Sequence, residues 1–389
     1  MKNINYIYYI FIAVITSSCI EQIPLKSNTF EDVIVIQATI TNEMKFQEVR
    51  VQRTYKFENA VPVIENNATV FIIDEQGDEI SFHQDDDIYK SDIEFQALPS
   101  KQYELHVITE NGREYVSTKQ ILTTESPIQS INANAVTSQI NGRGVEITVN
   151  SFDPSNTSKY YRYEYEETYK VIAPKWRVNN LYYNTTTLSF FVLPDRNINL
   201  RTCYGFQKSK KIIQTTTSGL NEDRVVDFPV HFVSNQNYRI KHRYSILVKQ
   251  YVQNLEAYNF YKTLNTMSSE GNILSPSQPG FIVGNIKNIE DPNEKIIGFF
   301  EVSSVSSARL FFNYTDLFPG EELPPDFNEC YPIEYDSDDG EDRDKLIKNL
   351  NRNNITLLEA APPFYIMVPR ECGDCTYIWS NIIPNYWTE

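Results

Sequence analysis

Alternation of apolar and polar residues, interrupted by turn signals about every 8–12 residues, is the feature that most restricts how this chain can fold. "VIVIQATI" opens the pattern at Val33 as a buried run, and "QEVRVQRTYKF" follows with Val49, Val51, Arg53 and Tyr55 at every second position. "TVFIIDEQGDEISFH" turns back at Gln76-Gly77, and "QYELHVITENGREYVST" turns back at Asn111-Gly112. Asn-Gly tolerates positive φ at both turn centres, so it closes a tight hairpin. Because successive strand side chains face opposite ways, such hairpins bury one face each and must pair face to face. The pattern predicts an N-terminal antiparallel β-sandwich over residues 33–125.

A second sandwich is expected over residues 126–317. "GVEITVNSFDP" and "KYYRYEYEETYKV" alternate strongly, with Tyr161, Tyr163 and Tyr165 on one face. Residues 173–237 are polar, rich in Asn and Thr and less regular, which reads as an elaborated insertion. "YRIKHRYSILVKQYVQ" is a long strand. After it, "NLEAYNFYKTLNTM" carries apolar residues at helical spacing, with Asn254 as N-cap and Glu256 in the first turn. That predicts a helix over 254–267. "GFIVGNI" and "KIIGFFEVSSVSSARLFF" return to strand. The last stretch, 318–389, reads as an acidic, Pro-rich tail with one short helix at "DRDKLIKNL". The fold class is therefore mainly β: tandem immunoglobulin- or fibronectin-like antiparallel sandwiches with a short helix and a C-terminal tail. The 26 Tyr and 22 Phe suit strands, and 41% apolar residues suffice for such cores.

The first 22 residues, "MKNINYIYYIFIAVITSSCIEQ", point to a compartment. Lys2 precedes an apolar run over 4–15, which is shorter than the roughly 20 residues needed to cross a bilayer and has the length of a signal-peptide core. Thr16, Ser17 and Ser18 lead directly to Cys19, the arrangement in which a thiol receives a diacylglycerol group before cleavage. We expect a lipoprotein signal peptide over 1–18, acylation of Cys19 (palmitate among the chains), and a tether over 19–32. No other stretch is apolar enough to span a membrane.

An oxidising compartment decides how the remaining cysteines read. Cys372 and Cys375 form a CxxC pair in "ECGDCTYIWS", while Cys203 and Cys330 stand far apart. A thioredoxin-type motif belongs at a strand-to-helix turn in an α/β pattern, and "TYIWSNIIPNYWTE" has no helical period. A four-cysteine zinc site shows two close pairs, and only one is present. Two structural disulfides pinning the tail to the body remain, with Cys372 and Cys375 joined to Cys330 and Cys203 in either order.

The chain carries no HExxH, GxSxG, P-loop or GxGxxG. His83, His106, His231 and His242 stand apart, none with a second ligand at metal spacing, so neither metal nor cofactor is expected. The acidic run from Asp336 to Asp344 fails the twelve-residue calcium loop: starting at Asp336, Gly340 falls at position 5 and Ile347 at position 12. It reads as a hydrated loop. A formal charge of −16 argues against nucleic acid. Trp176, Trp379 and Trp387 lie in the insertion and tail, and a ligand platform, if one exists, is expected there.

Several of these stretches resemble one family. "VIVIQATITN", "VRVQRTYKF", "DPSNTSKYYRYEYEETYKV", "RYSILVKQYVQNLEAYNFYKTLN", "PGFIVGNIKNIEDPNEKIIGFFEVSSVSSAR" and "CGDCTYIWSNIIPNYW" are similar to the domain-of-unknown-function 4249 lipoproteins of Bacteroidota-type envelopes. The resemblance implies an outer-membrane lipoprotein accessory to a TonB-dependent receptor barrel, and it transfers no catalytic residue. It leaves open whether the protein faces the periplasm or the cell surface. The expected role is therefore a non-catalytic binding subunit of a nutrient receptor. A structural or adhesion protein with sandwich spacers is the alternative, and an enzyme acting on glycans or peptides would need a specific carboxylate.

Overall fold

The computed structural model describes residues 32–54, 63–269 and 284–389. The expected signal peptide, the tether up to residue 31, Cys19 and Tyr55 lie outside them. Among the described residues no helix is long and apolar enough to cross a membrane.

The chain is mainly β, in three modules. The first is an eleven-stranded sheet curled round one core. Its path runs Ile286–Asn288, Glu114–Ser117, Gln102–Ile108, Thr69–Asp74, Glu79–Asp85, Ile88–Phe95, Lys45–Arg53, Ile34–Thr41 and Ile296–Ser303. Both predicted turns are present, with Gly77 at φ 87° and Gly112 at φ 84°. Alternation puts Val49, Val51, Val70, Ile72, Leu105 and Val107 into the core, where apolar burial contributes roughly 25 cal/mol per Å².

The sequence-based boundary at 125/126 is corrected here. Strands Ile286–Asn288 and Ile296–Ser303, expected in the second sandwich, belong to the first sheet at opposite ends of its path. Ile296–Ser303 lies parallel to Ile34–Thr41, with Ile34 opposite Ile296 and Thr41 opposite Ser303. The two ends then meet. Asn285 Nδ2 donates to the Phe300 carbonyl at 2.8 Å, and the Phe300 N–H donates back to Asn285 Oδ1 at 2.8 Å. Sheet edges otherwise expose unpaired backbone groups, and here the Asn285 side chain covers the Phe300 N–H and carbonyl. Two glycines permit the approach: a Cβ on Gly284 would stand 1.5 Å from the Gly298 carbonyl oxygen, and one on Gly298 2.4 Å from that of Ile36.

The second module is a sandwich of two antiparallel sheets. One is Ile128–Ser138, Gly142–Asp153 and Asp223–Ser234. The other is Thr202–Lys208, Tyr160–Ile172, Arg243–Gln253 and Val305–Asn313, with Ile213–Thr216 also on Tyr160–Ile172. Tyr161 and Tyr163 point into the shared core and Tyr165 packs against it, as their spacing predicts. The predicted insertion over 173–237 is mostly sheet. Three of its strands complete this sandwich, and their polar, Asn- and Thr-rich character reflects outer faces open to water. The turn "DPSNTS" is closed by Asp153, whose carboxylate accepts from the N–H groups of Ser155, Thr157 and Ser158 at 2.8–2.9 Å.

Helix α1 (Leu255–Ser269) follows, and Asn254 Oδ1 accepts from the Ala257 N–H at 2.8 Å as its N-cap. A one-turn helix α2 (Tyr314–Leu317) ends the sandwich.

The expected tail over 318–389 is a third module. Strands Ile333–Asp336, Phe364–Pro369 and Ile355–Ala361 form a sheet, with helix α3 (Gly340–Asn351) and a short α4 (Arg370–Gly373). The hairpin Asn180–Asn184/Ser189–Leu193, reached from the second module, completes its core through Leu181, Phe190 and Val192. A polar composition hid this because the core is small: Leu346, Leu357, Tyr365 and Met367 are its centre. The acidic run from Asp336 to Asp344 opens α3, where Asp339 Oδ1 accepts from the Glu341 and Asp342 N–H groups at 3.0 Å each. Acidic residues in that first turn also complement the helix dipole.

Two disulfides join this module to its surroundings. Cys203–Cys375 ties it to the strand Thr202–Lys208, and Cys330–Cys372 fixes the segment leading into it. The CxxC cysteines thus bond outward, each to one of the two expected partners.

Candidate functional site

A wide concavity lies where the first module meets the second. Its walls are the solvent faces of Ile34–Thr41 and Lys45–Arg53 on one side and of Tyr160–Ile172 and Arg243–Gln253 on the other. Helix α1 and the 208–212 turn close its ends, and its volume is about 530 Å³. The alternation that buries Tyr161 and Tyr163 in the second core sends Arg162, Glu164 and Glu166 into this cleft.

Arg162 forms its floor, with 8% of its side chain exposed. One guanidinium nitrogen bonds Glu164, and Nη2 donates to Glu301 Oε2 at 3.3 Å. Glu301 comes from Ile296–Ser303, the strand the first module borrows, so the ion pair bridges the two modules. Its side chain is 2% exposed, and its Oε1 accepts from Gln253 Nε2 at 3.1 Å and Ser303 Oγ at 2.5 Å. The guanidinium carbon sits 4.3 Å from the Tyr251 ring centroid and 4.9 Å from that of Tyr261, cation–π contacts that strengthen on desolvation. Burial pulls the Glu164 carboxyl upward, but the Arg162 charge and hydrogen bond outweigh it and hold Glu164 below the usual range. Burial pushes the Tyr261 hydroxyl up to about 12. Arg162 Nε has no hydrogen-bond partner among the described residues.

Around this floor the charge changes sign. Lys208, Lys210 and Lys211 stand on the rim, Lys249 on the long strand Arg243–Gln253, and Lys45 and Arg50 on the first module. With Arg162 that makes seven cations in the lining against three lining carboxylates, Glu48, Glu164 and Glu166, and Glu301 behind Arg162 and Glu43, 2.7 Å from Lys45, bring the excess down to two, in a chain of formal charge −16. Lys249 Nζ lies 3.4 Å and Lys208 Nζ 3.9 Å from Glu166. Arg50, Lys210 and Lys211 make no ion pair among the described residues. Converging cations between two low-dielectric walls focus a positive field on whatever enters. No motif marks this arrangement. Only "KSKK" at 208–211 signals it, and its cations meet the others through pairings between distant strands.

The tryptophans lie away from this cleft. Trp176 and Trp379 pack together against Ala173 and the fully buried Cys203–Cys375 bridge. Trp387 is apart from them, its ring 5.0 Å from Tyr204 and 5.6 Å from Phe311 on the outer face of the second module. The histidines find local partners. His83 Nδ1 is 2.7 Å from Asp92, His106 lies between Glu104 and Glu114, and His231 Nε2 is 3.1 Å from Glu167. Burial lowers the pKa of His242. Among the described residues no group of three His, Cys, Asp or Glu side chains is placed to hold a metal ion.

Fold and site together define a class: a disulfide-stitched, mainly β protein of packed sandwiches with a cationic cleft between modules. The chain belongs to the family described as a domain of unknown function, DUF4249, whose model matches residues 20–309. That span covers the first two modules' strands into Val305–Asn313 and ends before the third module's sheet. No curated protein matches the chain. Among solved structures, the BSP domain of a biofilm-associated protein is 7% identical over 73% of this chain and 62% of its own length, with a TM-score of 0.13. A biofilm-associated protein B domain is 8% identical over 72% of this chain and 86% of its own, also at 0.13. The chain therefore spans less than two thirds of the first of these, and neither likeness reaches a common fold.

Proposed function

We propose that this protein is a lipid-anchored, non-catalytic binding subunit in the outer membrane, accessory to a TonB-dependent receptor, and that it holds an anionic ligand in the intermodule cleft. The observation that carries the binding role is the cleft's excess of positive charge, with Arg50, Lys210 and Lys211 free of ion pairs among the described residues, in an acidic chain. Such a site gathers anions by long-range attraction and weakens steeply as salt screens it. The anchor rests on Lys2, the apolar run over 4–15 and Cys19, since two or three acyl chains hold a protein stably at a bilayer. The receptor partnership rests on the resemblance of the stretches quoted above to envelope lipoproteins that accompany such receptors.

The experiment is a pull-down of the natively lipidated protein from gently solubilised outer membranes, with co-purifying proteins identified by mass spectrometry. A stoichiometric TonB-dependent barrel is the expected result. Protein that retains its lipid yet brings no barrel would refute the accessory role and favour a structural or adhesive one.

A further inference from the structure

The chain contains two Asn-Gly pairs, Asn111-Gly112 and Asn141-Gly142, each at the tip of a hairpin. Such a pair is prone to cyclise, because glycine has no Cβ to shield its backbone nitrogen from the asparagine side chain. The two tips hold the reacting groups differently.

At Asn111 those groups are tied down. Its Oδ1 accepts from the Thr109 hydroxyl at 2.7 Å and from the Arg113 N–H at 3.3 Å. The Gly112 N–H, which must lose its proton to attack, donates to the Thr109 carbonyl at 2.8 Å. Thr109 is 2% exposed, so the lock is anchored in the body of the first module.

At Asn141 the side chain is free. The residue is exposed, and its only hydrogen bond outside the strand pairing among the described residues runs from its backbone N–H to Ser138 Oγ at 2.8 Å. Its neighbour Ile140 is 94% exposed, so the tip stands clear of the body. Gly142 takes φ 71°, and even a Cβ placed on it would meet nothing within 4 Å. Water therefore reaches both reacting groups.

We propose that Asn141 is a modification site, deamidating in the folded protein without an enzyme. The Gly142 nitrogen gives up its proton and bonds to the carbonyl carbon of the Asn141 side chain. The bond from that carbon to the side-chain nitrogen breaks, and ammonia leaves carrying the proton. Water then opens the resulting succinimide at either carbonyl. One opening gives aspartate, and the other gives isoaspartate, with a methylene added to the main chain. Both products carry a new carboxylate close in sequence to Arg143, whose ion pair with Glu321 ties this tip to the segment entering the third module.

The test is to hold the folded full chain in detergent in mildly alkaline buffer, beside a guanidinium-unfolded sample. Both Asn-Gly peptides are followed by mass spectrometry and by an isoaspartyl assay. Unfolded, the two should convert at similar rates. Folded, Asn141 should stay within about threefold of its unfolded rate, as befits an exposed tip. Asn111 should convert roughly 10- to 100-fold more slowly, the factor its hydrogen bonds supply. Thr109→Val keeps the side-chain shape but removes one bond to Asn111. It should speed Asn111 roughly 3- to 10-fold and leave Asn141 unchanged. Two results would overturn the assignment: folded Asn141 protected as strongly as Asn111, or Thr109→Val changing both pairs alike.

Discussion

Replacing both Cys203 and Cys375 by alanine should loosen the third module while leaving the first untouched. The two residues are separated by 172 positions and both are fully buried. Cross-linking at that separation removes loop entropy from the unfolded chain worth about 5 kcal/mol, against about 4 kcal/mol for the 42-residue separation of Cys330 and Cys372. The shorter loop that the surviving bridge defines changes little, since the cost grows only with the logarithm of length. Measured bridges usually fall somewhat below this relation, so we expect a loss of about 4 kcal/mol. Native-state hydrogen exchange on the oxidised full chain gives the local readout. Amides of Ile355–Ala361 and Phe364–Pro369 should exchange roughly a thousandfold faster. Those of Thr69–Asp74, in the first module, should keep their rates, because the bridge joins only the other two. Acceleration below tenfold, or equal acceleration in all three modules, would refute the reasoning. The first outcome would mean that packing, not the cross-link, holds the third module. The second would mean that the modules unfold as one unit.

Three further expectations concern the interior. Glu301→Leu removes the carboxylate facing Arg162 in a nearly water-free site and should cost about 3–5 kcal/mol by urea denaturation, whereas loss of a surface pair such as Arg224–Glu222 should cost under about 1 kcal/mol. Gly298→Ala drives a Cβ against the Ile36 backbone and should release the parallel strand, seen as faster exchange in Ile34–Thr41 and a lower melting temperature. Acid should destabilise the second module. Burial raises the Glu167 carboxyl, but hydrogen bonds and charge from His231, Tyr244 and Arg239 outweigh it and hold its pKa below the ordinary value. Burial likewise opposes, and the Ser155, Thr157 and Ser158 hydrogen bonds override, at Asp153. Groups depressed on folding stabilise fully above the unfolded pKa of about 4, and lose that stabilisation as pH falls through the folded value. Unfolding free energy should therefore decline from about pH 4 downward, and more shallowly in Glu167→Gln, from a lower plateau. A plateau unchanged to pH 2 would contradict it.

Local features of the fold were legible because they are set by neighbours in sequence. The Gln76-Gly77 and Asn111-Gly112 turns, the tyrosine alternation in Tyr160–Ile172 and the Asn254 cap all needed only adjacent residues. Membership of Ile296–Ser303 was not legible, since a fully buried strand reads alike in any sheet and its partner begins at Ile34. The third module was missed because its core draws on a hairpin near 190 and strands beyond 333. Disulfide order was open for the same reason: spacing counts cysteines but does not place them. At the cleft, the alternation that predicted Tyr161, Tyr163 and Tyr165 inside also required Arg162, Glu164 and Glu166 outside. Their convergence with Lys210 and Arg50 depended on how two sheets face each other.

The returning strand pair has a consequence for synthesis. A chain made from its N-terminus completes residues up to 122 and then must wait for Ile286–Asn288 and Ile296–Ser303 before the first sheet can close. For a chain exported as it is made, ordinary elongation rates set that interval at roughly 10–40 seconds, during which two open strand edges are presented on the far side of the membrane. A chain truncated within the second module would therefore keep a ready template for aggregation, and holdase chaperones of that compartment should engage this protein most strongly over that window.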